Sequence, residues 1–182
     1  MKKLTLVLFA ACGLVFSQAA LQAEDAPSYR DNLNAGFFLL HDLLDNEASL
    51  PILLDLKSSP QEIQNFADKI SRTAKEGEAA MDKMREADPK ISWDKNPLPK
   101  IEQDIRASIT DEKEHQLLFG TKGPEFVRAL LVSQAEASKY AANIAKVLAR
   151  QDKNPWHRRE FSGISARWHA LYEEDFRLLR NY

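Results

Sequence analysis

Downstream of residue 28, apolar positions recur at spacings of three and four, the period of a helix with one buried face. The first such stretch runs from about Tyr29 to Lys57. Its stripe is Leu33, Phe37, Leu40, Leu44 and Leu54, joined by Leu43, Leu50 and Leu53. Pro51 interrupts it, removing a backbone donor and crowding the preceding turn, so the helix should kink or break near Ala48. A second helix opens at Ser59-Pro60-Gln61-Glu62, which reads as a capping box with proline at the first helical position. Ile63, Phe66, Ala67, Ile70, Ala74, Gly77, Met81 and Met84 form its apolar face, and Asp88-Pro89 ends it.

Residues 88 to 99 make the main loop. A more polar helix follows from about Lys100 to Leu118, carrying Ile101, Ile105, Ile109 and Leu117 and closed by Gly120-Thr121-Lys122-Gly123. The next helix begins at Pro124 and reaches about Gln151, with Phe126, Leu130, Ala137, Ala141, Ile144 and Leu148 facing inward. Asn154-Pro155 is an N-cap followed by proline in the first turn, and it starts a last helix that ends near Leu179. Phe161, Ile164, Trp168, Leu171, Tyr172, Phe176 and Leu179 supply its face, with Gly163 easing the approach of a neighbouring helix. No run alternates with period two and no hairpin turn appears. The expected fold is all-α: an antiparallel four-helix bundle with one extra short helix, in a single domain over residues 24–182.

The first 23 residues break this pattern. Met1-Lys2-Lys3 is a positive start, Leu4 to Phe16 is apolar but short for a membrane span, and small and polar residues follow up to Ala23. The segment reads as a signal peptide cut after Ala23, with Ala19 the alternative, and it implies a periplasmic or secreted protein. The single cysteine, Cys12, lies inside the apolar run, so cleavage leaves a chain without thiols or disulfides. Phe9-Ala10-Ala11-Cys12 also bears some likeness to a lipobox, which would anchor the chain by lipid through Cys12 instead. No later segment is apolar for long enough to cross a bilayer.

Charge narrows the partners. The formal charge is −2, and removing Lys2 and Lys3 makes the mature chain more acidic still, which argues against a nucleic acid. It says nothing against metals or proteins, and another envelope protein is the partner that export suggests. Nucleophilic chemistry finds no support, since the mature chain lacks cysteine, Gly-x-Ser-x-Gly, a phosphate loop and a haem-attachment motif.

Several short motifs in order resemble a family of exported bacterial ferritin-like bundles of unknown function. The likeness covers about residues 34 to 179. It rests on Glu47 in the first helix, on Ser58-Ser59-Pro60-Gln61-Glu62-Ile63-Gln64-Asn65-Phe66-Ala67, on Leu118-Phe119-Gly120 with Gly123-Pro124-Glu125-Phe126, and on the Asn154-Pro155 helix with His169. The resemblance implies a ferritin-like bundle. It also implies an Asp-His pair where this chain has Thr73 and Ala74, and a mid-helix His where it has Glu136, Ser138 or Tyr140.

The candidate metal ligands are Glu47, His41 and His169. Glu47 continues the inward stripe of the first helix, so its carboxylate needs a cation, a His or a metal, or else the Pro51 break lets it reach water. His41 with Asp45 and His169 with Glu173 are spaced i, i+4, which suits chelation but also describes ordinary surface pairs. No helix offers the Glu-x-x-His of a carboxylate-bridged di-iron site. Met81 and Met84 read as core filler, and His115 as solvated. Trp156-His157-Arg158-Arg159 forms a small basic patch that would suit an anionic lipid headgroup or an acidic partner, or is a wet first turn with Trp156 stapled to the core. Together these features favour a non-catalytic bundle protein of the cell envelope with a binding or accessory role. A metal-binding or metal-redox protein and a periplasmic chaperone-like protein are the alternatives.

Overall fold

In the computed structural model, residues 28–93 and 97–182 are described. The expected signal peptide, its cleavage sites and Cys12 lie outside them. The described residues are helical throughout their regular structure, with no strand among them. The helices are α1 (Tyr29–Ala48), α2 (Leu50–Asp55), α3 (Gln61–Ala87), α4 (Lys100–His115), α5 (Gly123–Gln151) and α6 (Pro155–Leu179), with a π-helical turn over Gln116–Gly120. None of the described helices is long and apolar enough to cross a membrane.

Chain breaks fall where the chemistry asks for them. Ser28 and Asp31 form a reciprocal capping box that starts α1. Pro51 ends the first helix as expected: α1 stops at Ala48, and the proline takes the first turn of α2, where a missing N–H costs nothing. Asn154 caps α6 through Oδ1, which accepts from the Trp156 amide at 2.9 Å. The capping box expected at Ser59 is absent. Pro60 takes the N-cap position, the Ser59 hydroxyl has no partner among the described residues, and Gln64 turns back to donate to the Ser59 carbonyl at 3.1 Å.

Four long helices share one core. Near one end, Ser71 of α3 donates to the Ala48 carbonyl of α1, and at the other Arg30 pairs with Asp88, so α1 and α3 run antiparallel. Lys69 with Glu174, and Arg167 with Glu76, set α3 against α6 in the same sense. Ser165 donates to the Ala142 carbonyl and Arg128 to that of Tyr182, which aligns α5 and α6 antiparallel as well. Tyr29 of α1 donates to the Gln151 carbonyl at the far end of α5.

Within the core, Phe37 meets Phe161 edge to face at 5.2 Å, and Leu40, Ile70, Met81, Leu131 and Trp168 are fully buried. Met81 and Met84 are core residues. Gly36 and Gly77 allow the closest helix approaches. A Cβ at Gly36 would stand 2.7 Å from Leu148 Cδ2, and one at Gly77 would stand 2.9 Å from Leu44 Cδ1. Gly163, expected in that role, meets only Arg167 of its own helix, so it does not mark a helix contact.

Two apolar sets depart from expectation. Ile101, Ile105 and Ile109 of α4 face solvent, and α4 buries no residue at all. It touches α5 through polar contacts, Lys113 to Glu136 at 2.8 Å and Arg106 to Tyr140 at 3.1 Å, so its stripe has no neighbour to fill. Phe176 is likewise exposed, because the buried phase of α6 passes through Leu171 to Asp175 instead.

Candidate functional site

Polar residues interrupt the core at one level, and all four long helices contribute. Glu47 continues the α1 series 33, 37, 40, 44, 47 and is buried. From α5 come Gln134 and Ser138, from α3 Ser71, and from α6 Asp175, which is completely inaccessible to solvent. The Gln134 side chain hydrogen-bonds the Glu47 carboxyl, and since its own Oε1 has no partner, the amide nitrogen is the donor. Both carboxyl oxygens of Asp175, the Ser138 hydroxyl and the Trp168 indole N–H have no partner among the described residues.

Burial sets the protonation of this cluster. Desolvation raises the Glu47 carboxyl to about 7, against the opposing pull of the Gln134 hydrogen bond and the Lys113 charge. Asp175 is raised further, to about 8, first by desolvation and then by the negative charges of Glu174 and Glu47. Near neutral pH Asp175 therefore keeps its proton, while Glu47 is close to half protonated.

The three metal-ligand candidates sit in different surroundings. Glu47 is in the core. His41 is half-buried and stacks on the Trp93 ring, with centroids 4.8 Å apart. His169 is exposed, with Nε2 3.9 Å from Glu173 Oε1. No three His, Cys, Asp or Glu side chains gather into a metal-holding group among the described residues. The histidine-bearing centre implied by the ferritin-like resemblance does not fit either. Buried Ala74 and Ser138 occupy inward positions on α3 and α5 where it would need ligands.

Sequence reasoning missed Asp175, Gln134, Ser138 and the buried pair Asp152–His157. The signal was present in the phase. Positions 157, 161, 164, 168, 171 and 175 of α6 step by four and three, so His157 and Asp175 share the buried seam with Phe161 and Trp168. His157 Nδ1 lies 2.9 Å from Asp152 Oδ2, and its Nε2 lies 3.2 Å from Asn154 Nδ2, which locks the α5–α6 corner. Of the basic first turn, then, only Arg158 and Arg159 are exposed, while Trp156 packs against the core.

Those two arginines border an open groove of about 900 Å³ between the outer faces of α5 and α6. Lys139, Lys146 and Arg150 line its α5 side, and Arg158, Arg159 and His169 its α6 side. Among the described residues, no acid lines it. Its floor is small and apolar, with Ala142, Ala149 and Ala166 ending at the Tyr172 ring. Comparison with known protein families, curated proteins and solved structures finds no match to this chain.

Proposed function

We propose that this chain is a non-catalytic, exported helical-bundle protein of the bacterial cell envelope that acts by binding an anionic partner in the α5–α6 groove. One observation carries the reading. In a chain of net charge −2, five Lys and Arg side chains line one groove, with no acid among the described residues that line it. In this reading residues 1–23 are the signal peptide. Residues 24–182 form an antiparallel four-helix bundle of α1, α3, α5 and α6, and α4 serves as the long crossover that a ferritin-like connection requires. Titration calorimetry with tripolyphosphate tests the binding claim. Saturable, salt-sensitive binding that disappears in the Arg158→Glu/Arg159→Glu double variant supports it; equal binding by both proteins contradicts it.

A second reading, a metal-binding bundle, is favoured by the unpartnered carboxyl of Asp175. Its ligands would be Glu47 and Asp175 with the neutral oxygens of Gln134 and Ser138, an all-oxygen set suited to a hard cation. It expects Mg²⁺, Ca²⁺ or Mn²⁺ at pH 8 to raise the melting temperature of the wild type and leave Asp175→Asn unmoved. An equal response from both proteins removes it.

A further inference from the structure

The groove has two chemically different parts. At the corner where α5 turns into α6, Arg150, Arg158 and Arg159 stand together beside Pro155. From there the apolar floor runs back along α5 toward Tyr172. Lys139 to Arg150 spans eleven residues of α5, or about 16 Å at the helical rise.

Polar groups along the floor already donate to backbone carbonyls of α5 and α6. Ser162 donates to the Arg158 carbonyl at 2.7 Å, Ser165 to the Ala142 carbonyl at 2.8 Å, and Asn143 to the Lys139 carbonyl at 2.8 Å. What they present to the groove is therefore mainly hydrocarbon, and the Lys146 stem adds methylenes to one wall. At the cationic end the situation is reversed. Arg158 uses its Nε on the Ala149 carbonyl at 3.3 Å, and neither Arg150 nor Arg159 has an ion-pair partner among the described residues. Two arginines also occupy the opening of α6, where the helix dipole is positive, and no acid lies in that first turn to offset them. An anion seated there would relieve this repulsion.

We propose that the groove binds a fatty acid, with its carboxylate at Arg150, Arg158 and Arg159 and its single acyl chain along the alanine floor toward Tyr172. The proposal rests on the anion-binding reading above and adds the class of ligand. An anion alone would leave the apolar floor without an occupant, and a neutral lipid would leave the arginines without one. A volume of about 900 Å³ suits a ligand of this size.

The test is calorimetry on the full chain with laurate kept below its micelle concentration, beside acetate, 1-dodecanol, dodecyl phosphate and tripolyphosphate. Laurate should bind saturably, and acetate and dodecanol should each bind at least about tenfold more weakly, since each lacks one half of the ligand. Arg158→Glu/Arg159→Glu should weaken laurate by removing the head site, and Ala166→Trp should weaken it by filling the floor while leaving tripolyphosphate binding intact. Both substitutions are at exposed positions, and a circular-dichroism melt confirms that the variants fold. Acetate or dodecanol matching laurate overturns the proposal, as does dodecyl phosphate binding more than about tenfold tighter, which would make the head a phosphate. Tripolyphosphate binding without laurate binding defeats the fatty-acid proposal and leaves the anion-binding reading standing. Binding of neither defeats both.

Discussion

Asp175 is the least expected residue in the molecule, a carboxyl with no exposure and no partner among the described residues, in the middle of an apolar seam. Burying it ionised would cost more than the fold can spare, so it stays protonated up to about pH 8, and Glu47 up to about 7. In the unfolded chain both acids ionise near pH 4. Between those limits the folded state holds protons that the unfolded state has released, so these groups make stability fall as pH rises. For Asp175 alone the loss between pH 5.5 and 8.5 is on the order of 3 kcal/mol. Denaturant unfolding of Asp175→Asn beside the wild type should therefore show the variant gaining relative stability across that interval. A constant difference would mean that Asp175 is ionised in the fold.

The helices follow the periodic pattern closely wherever a neighbour exists to bury it. Leu33, Phe37, Leu40 and Leu44 on α1, and Ile63 through Met84 on α3, are all buried as the spacing implies. On α4 the same kind of stripe fails, because periodicity reports that a helix has an apolar face and not whether another element covers it. The glycines teach a similar lesson. Gly163→Ala should stabilise α6 by roughly 0.5–1 kcal/mol through helix propensity, since its Cβ meets only a flexible arginine end. Gly36→Val should destabilise by about 1–3 kcal/mol, because its side chain would enter the space held by Leu148. Thermal melts that reverse this order would mean that the helix contacts are misassigned. Removing the α6 cap in Asn154→Ala should cost about 1 kcal/mol. The candidate site was only half legible for a related reason. Glu47 stood out as a charge on an otherwise apolar stripe, whereas Asp175, Gln134 and Ser138 share their seams with enough polar flanking residues to pass as surface positions. The convergence of four helices on one level is a tertiary fact that no single stripe carries.

At the scale of the molecule, charge is arranged against the average. The chain is slightly acidic overall, yet the outer face of α5 and α6 gathers Lys139, Lys146, Arg150, Arg158 and Arg159 around an apolar floor. The basic patch visible at Arg158-Arg159 in the sequence was only its corner; the rest comes from α5, some eight to twenty residues earlier, brought alongside by antiparallel packing. The buried carboxyls and the groove lie on opposite sides of the α5–α6 pair, one facing the core and the other solvent, so binding outside and protonation inside are separable by substitution. The most direct test of the account maps amide chemical shifts of the labelled protein during a titration with tripolyphosphate. The account predicts that the changes concentrate between residues 139 and 150 of α5 and between 155 and 172 of α6. Shifts centred on α1, α3 or α4, with this face unmoved, would contradict it.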